Sequence, residues 1–157
     1  PLIMVGSPAT KELIDLKENS SYRSDIHFLS DISDTLLRSS YQGASVLLFP
    51  SLEEGFGWPI VEAMASGCPV ITINKAPMNE VGAKSCYYFS PIPDNEREKD
   101  EWVNLSATKL EDVLNLSEIE REILIKKGME NSKRFNTADA LDKIESVYKN
   151  ILSGHNY

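Results

Sequence analysis

The sequence predicts an α/β domain with a Rossmann-like parallel sheet, flanking helices and a helical C-terminal tail, and three observations carry this expectation. Short apolar runs alternate with helical patterns over residues 1–91, a rhythm that implies right-handed crossovers between parallel strands. Glycine and proline punctuate those runs, most sharply at Gly55-Phe56-Gly57 and Gly67-Cys68-Pro69. From Trp102 onward the pattern is helical. The chain therefore reads as one domain over 1–157, with a β/α core at 1–91 and a mainly helical part at 92–157.

Each element has its own local reason. Leu2 to Gly6 reads as a strand, followed after Ser7-Pro8 by a helix to about Asn19 with Leu13, Ile14 and Leu16 as its apolar face. Asp25 to Leu29 repeats the strand. Ser30 or Asp31 is the expected cap of the next helix, which carries Ile32, Leu36, Leu37 and Tyr41 near one side. Ala44 to Phe49 is a short apolar run, rich in strand formers, that stops at Pro50-Ser51. After the glycine loop, Pro59 suits the first helical position, and Gly67 with Pro69 ends that helix.

Val70 to Ile73 and Cys86 to Phe89 read as strands, with a short helix near Met78 to Val81 between them. Asp94 to Glu101 is charge-dense and reads as an exposed loop or helix start. Beyond it, Leu105, Leu110, Val113 and Leu114 form one apolar set, and Ser117-Glu118-Ile119-Glu120 resembles a capping box. Asn136 or Thr137 is expected to cap a last helix with Leu141, Ile144, Val147, Tyr148 and Ile151 at helical spacing. Trp102, Phe135 and Tyr148 are expected to serve packing.

Composition bounds the function. A chain of 157 residues can bury roughly two-thirds of its unfolded surface. Its 41% hydrophobic and 25% charged residues are those of a globular protein, and no apolar run approaches the about 20 residues of a spanning helix. With 16 basic against 24 acidic residues the net charge is −8, which argues against a broad nucleic-acid or anionic-membrane surface. Lys126-Lys127 and Lys133-Arg134 lie among glutamates and read as solvated helix faces. Cys68 and Cys86 read as buried free thiols of a reducing compartment. His27 and His155 make no convincing metal pair, and no metal site is expected. The chain opens at Pro1 directly into a strand, without a targeting segment, so truncation at the N-terminal side is expected.

The chemistry concentrates between Pro50 and Gly67. Gly55 and Gly57 bracket Phe56 where a loop enters a helix, so the backbone can approach a ligand and aim unpaired amides at a phosphate or a sugar hydroxyl. A tight strand-to-helix turn is the plain alternative. Glu62 lies among Ile60, Val61, Ala63, Met64 and Ala65, a setting expected to be largely buried. A carboxylate there needs a partner, either ligand hydroxyls or the helix N-terminus and a basic side chain. Ligands of open parallel sheets sit beyond the carboxyl ends of the strands, which marks Gly6-Ser7, Phe28 to Ser30, Ser51 to Gly57 and Asn74 to Glu80.

On these residues the chain resembles the family 4 glycosyltransferases, retaining enzymes of the GT-B fold. Their donor-binding half carries two glutamates separated by seven residues, matched here by Glu54 and Glu62 with Gly-Phe-Gly after the first. Tyr41 to Phe49, Gly67 to Thr72, Asn79 to Gly82 and Tyr87 to Pro91 extend the match. The resemblance implies that Glu54, as the catalytic-site carboxylate, and the amides of Gly55, Phe56 and Gly57 hold the donor sugar and diphosphate. It implies that Glu62 binds the ribose, that Gly6, Phe28, Leu29 and Ser30 border the nucleobase, and that Glu53 stands outside the motif. It further implies a UDP- or GDP-sugar donor, no other cofactor, an acceptor glycan, lipid or small molecule held by a further N-terminal domain, and an upstream basic pair contacting the diphosphate. The implied location is the cytoplasm, the inner face of a membrane included, with a role in polysaccharide biosynthesis, and the chain alone is expected to be inactive.

Two other classes fit parts of the pattern. Paired carboxylates also serve glycoside hydrolases, but the glycine loop and the β/α alternation favour a nucleotide site. A non-catalytic nucleotide-sugar-binding module or partner subunit is the second alternative.

Overall fold

The structure, a computed structural model, describes residues 1–153. The chain divides into two compact units, Pro1–Ser39 and the residues from Ser40 onward. His155 lies outside the described residues.

The first unit holds β1 (Leu2–Val5), α1 (Lys11–Asn19), a 3₁₀ turn at Arg23–Asp25, β2 (Ile26–Leu29) and the start of α2 (Asp34–Gly43), which runs past the boundary. β1 and β2 pair in parallel, with Leu2 opposite Ile26 and Val5 opposite Leu29. Thr10 caps α1 by accepting the Leu13 amide at 3.3 Å. The cap of α2 is Ser33, whose hydroxyl accepts the Leu36 amide at 3.3 Å, in place of Ser30 or Asp31. The reason is local: Asp31 sits at φ 53°, the left-handed region, whereas an N-cap residue is extended. Ile32 is consequently left ahead of the helix. No residue from 1 to 39 is buried, so the face expected of Leu13, Ile14 and Leu16 stays largely open, with Ile14 and Leu16 exposed.

The second unit follows with β3 (Leu47–Phe49), α3 (Trp58–Ala65), β4 (Val70–Ile73), α4 (Met78–Gly82) and β5 (Tyr87–Phe89). It closes with α5 (Glu96–Leu114), α6 (Glu118–Ser132), a 3₁₀ turn at Lys133–Phe135 and α7 (Thr137–Leu152). Its sheet is parallel in the order β3-β4-β5, with Leu47 opposite Val70 and Ile71 opposite Tyr87. The strand–helix alternation is thus realised as two parallel sheets, one in each unit. β4 is central and buried along its whole length. Its single polar side chain, Thr72, donates to the Phe49 carbonyl at 2.7 Å, which satisfies the hydroxyl inside the core.

Ile60 and Met64 of α3, Ile71 and Ile73 of β4, Met78 and Val113 form the centre of the core. Gly128 permits α6 to lie close to α3, since a Cβ there would stand 3.3 Å from Met64 Cγ. Arg121 of α6 donates to the Ser45 carbonyl at 2.6 Å and to the Val113 carbonyl at 3.1 Å, tying the end of α5 to the segment before β3. The capping box at Ser117 and Glu120 is present. Asn136, not Thr137, caps α7 by accepting the Ala138 amide at 2.9 Å.

Several expected packing groups take other positions. Of the α5 set only Val113 is buried, while Leu105 and Leu114 are exposed. Trp102 packs its ring against Phe89 and donates to the Ser90 carbonyl at 2.8 Å, but Tyr148 is 65% exposed. Leu141, Ile144, Val147 and Ile151 share the exposed state of Tyr148, so helical spacing marks a face of α7 without burying it. Cys68 is buried and Cys86 half-buried, both as free thiols. Burial pushes Cys68 up to about 11 and Cys86 up to about 12, well above the ordinary thiol value. Among the described residues no helix is long and apolar enough to cross a membrane, and no group of three or more His, Cys, Asp or Glu side chains could hold a metal ion.

Candidate functional site

The glycine loop occupies the position that its sequence predicts, between the carboxyl end of β3 and the start of α3. Gly57 is the N-cap residue of α3 at φ 95° and ψ 47°, a left-handed conformation that glycine adopts without a Cβ penalty. No side chain caps this helix, and Pro59 in its first turn has no N–H to satisfy. Among the described residues the amides of Gly55, Phe56 and Gly57 donate to no backbone acceptor. These amides thus lie unpaired with backbone acceptors at the helix entrance, where the backbone dipoles favour an anion. Phe56 contributes its backbone to this entrance. Its ring turns inward, 4.7 Å from the Trp58 ring and edge-on to Phe135 at 5.4 Å, and so anchors the loop.

The two glutamates occupy different settings, each touched by a hydroxyl. Glu54 is half-buried, and its Oε1 accepts from the Ser51 hydroxyl at 2.8 Å. Glu62 accepts from the Tyr41 phenol at 3.2 Å. The expectation that Glu62 is buried in an apolar helix is overturned, because its side chain is exposed. Helical geometry supplies the reason: Trp58, Glu62 and Ala65 stand four and three residues apart on one outward stripe, while Ile60, Val61, Ala63 and Met64 face the core. Burial, followed by the Glu62 charge, holds the Tyr41 phenol far above its ordinary value, so it remains a hydrogen-bond donor.

A cleft of about 460 Å³ opens between Leu52, Glu53, Lys75, Ile92 and Asp94. Lys75 bridges its wall by donating to the Leu52 carbonyl at 3.1 Å. The sequence motif passes over Glu53 and singles out neither Asp94 nor Lys75 by itself. The signal for them was positional, since all lie just beyond β3, β4 or β5. Within the stretch Asn74 to Glu80, Asn79 donates to the Asn74 side chain at 3.1 Å and leaves its own Oδ1 buried without a protein partner.

Gly6, Phe28, Leu29 and Ser30 belong to the first unit. The Gly6 amide donates to the Leu29 carbonyl at 3.1 Å, which continues the β1–β2 ladder and brings the two strand ends together. Phe28 is half-buried beneath the Lys17 ammonium, 5.8 Å from its ring centroid, and Ser30 is exposed. Each unit thus gathers its own group of expected site residues at the carboxyl ends of its strands.

Parallel strands, flanking helices, a helical C-terminal part and a glycine-lined helix entrance flanked by carboxylates define an α/β domain of the GT-B glycosyltransferase type. The family model for glycosyl transferases group 1 matches residues 1–85, and the chain belongs to that family. It is similar to the O-antigen chain mannosyltransferase B of Escherichia coli, 29% identical over 151 residues, covering 95% of this chain and 37% of that protein. It is also similar to the O-antigen chain mannosyltransferase RfbU of Salmonella typhimurium, 39% identical over 72 residues, covering 46% of this chain and 20% of that protein. The chain therefore spans well under half the length of these relatives. In fold it is similar to the pneumococcal O-GlcNAc transferase GtfA solved with UDP and GlcNAc, at a TM-score of 0.76 and 22% identity, over 96% of this chain and 29% of that one.

Proposed function

We propose that this chain is the donor-binding part of a retaining glycosyltransferase, which moves a hexose from a nucleoside diphosphate to an acceptor glycan or lipid held by a further domain. The observation that carries this reading is the uncapped entrance of α3, where left-handed Gly57 and the unpaired loop amides stand between Glu54 and Glu62. In this reading the amides receive the diphosphate and help to stabilise its charge as the glycosidic bond breaks. Glu54 accepts from sugar hydroxyls and Glu62 from the ribose. No cofactor beyond the donor is required, and the place of action is the cytoplasm or the inner face of a membrane. The mannosyltransferase names of its relatives make a mannosyl nucleotide the first donor to try.

The test is a thermal-shift and calorimetry panel of GDP-mannose, UDP-GlcNAc, UDP-glucose, GDP and UDP, since a ligand bound to the folded state raises its stability. At least one nucleotide is expected to bind, and Glu62→Ala to weaken it about ten-fold or more with an unchanged melting profile in its absence. Unchanged affinity for every nucleotide that binds the parent chain would sink the assignment of Glu62. Transfer itself is expected to need the further domain.

A further inference from the structure

We propose that Tyr41 is a positioning residue for donor binding: its phenol orients the Glu62 carboxylate so that the remaining lone pairs face the ribose hydroxyls of a nucleoside diphosphate. This rests on the reading of Glu62 as the ribose ligand. Tyr41 lies in the last turn of α2, inside the unit that begins at Ser40, with its ring packed on the hydrophobic core. Its hydroxyl reaches 3.2 Å to Glu62 Oε2, linking two segments that are 21 residues apart in sequence.

Glu62 is exposed and forms no ion pair among the described residues. Left alone, such a side chain samples several rotamers and loses that freedom on meeting a ligand. A phenol fixed by core packing removes part of the loss in advance. The stoichiometry of hydrogen bonding also fits. An ionised carboxylate offers about four acceptor directions, Tyr41 occupies one, and a ribose cis-diol needs two. Burial and the Glu62 charge keep the phenol protonated at any working pH, so its role does not reverse.

The test uses Tyr41→Phe, which deletes the hydroxyl and retains the packed ring, with GDP, UDP and their 2′,3′-dideoxy forms as calorimetric probes. For the ribonucleotide the variant is expected to lose about five-fold in affinity, the worth of one hydrogen bond. For the dideoxy form it is expected to lose nothing, and within a Glu62→Ala background, which has no acceptor for the phenol, it should again lose nothing. A purely structural effect would lower both affinities alike and persist in that background, and either result would overturn the proposal, as would no loss at all. The two readings separate cleanly. If Glu62→Ala weakens the ribonucleotide while Tyr41→Phe does not, only the positioning role falls. If the parent chain binds neither ribonucleotide, or Glu62→Ala leaves its affinity unchanged, both fall together.

Discussion

β1 and β4 are near twins in sequence and opposites in environment. Leu2-Ile3-Met4-Val5 and Val70-Ile71-Thr72-Ile73 are both four-residue parallel strands of apolar and β-branched residues, yet every β1 residue is exposed and every β4 residue is buried. Strand order accounts for the difference. β4 has β3 and β5 on its two edges and helices packed on its unit's core, whereas β1 pairs only with β2 in a unit without a buried side chain. Apolar content thus specifies what a strand could bury, and its neighbours decide what it does bury.

The largest test of this contrast is a matched pair of truncations. Ile71 is 0% exposed and Ile3 is 50% exposed, so Ile71→Ala is expected to cost about 2–5 kcal/mol, while Ile3→Ala should remain within about 1 kcal/mol. Urea titrations of both variants measure this, and equal losses would break the contrast. A glycine pair sharpens it next. Gly57→Ala forces a Cβ into a left-handed residue and 3.3 Å from Ile60 Cδ1, for an expected cost of roughly 1–2 kcal/mol, whereas nothing lies within 4 Å of a Cβ at Gly6. Gly6→Ala should be nearly silent in the same titration.

The smallest effect compares two helix caps. Ser117→Ala removes the capping box of α6, which packs on α3, and is expected to lower global stability by about 1 kcal/mol. Thr10→Ala removes the cap of α1, which buries nothing, and should increase amide exchange in α1 with little effect on global stability. The capping box also has a pH signature. Hydrogen bonds from the Ser117 hydroxyl and amide hold the Glu120 carboxyl below its ordinary value of 4.5. The stability it supplies is therefore complete above pH 4.5 and disappears as the pH falls through the lowered value. In acid titrations the gap between the parent chain and Ser117→Ala should narrow in that window, the part due to the hydroxyl cap of the Glu120 amide remaining.

Much of the fold was legible because local chemistry and tertiary structure agree in the second unit. Val70 to Ile73 formed the strand its composition implied, Ser117 and Glu120 formed their box, and the glycine pair marked the loop that enters α3. Failures arose where local signals competed or where neighbours decide. Ser30, Asp31 and Ser33 are all plausible caps, and only the left-handed backbone at Asp31 selects Ser33. At Glu62 the average apolarity of the segment and its helical phase disagree, and phase prevails: the spacing of Trp58, Glu62 and Ala65 traces an outward stripe. The Tyr41 contact to Glu62 could not be read from sequence, since it spans two helices and a strand.

The open face of α7 has a consequence for the colloidal behaviour of the chain. Leu141, Ile144, Val147, Tyr148 and Ile151 give molecules a means of adhering to one another, and at neutral pH the net charge of −8 keeps them apart. The isoelectric point of about 4.8 lies in the titration range of the carboxylates that supply this charge. Mild acid therefore removes the repulsion while leaving the apolar stripe in place, so light scattering is expected to rise as the pH approaches 4.8.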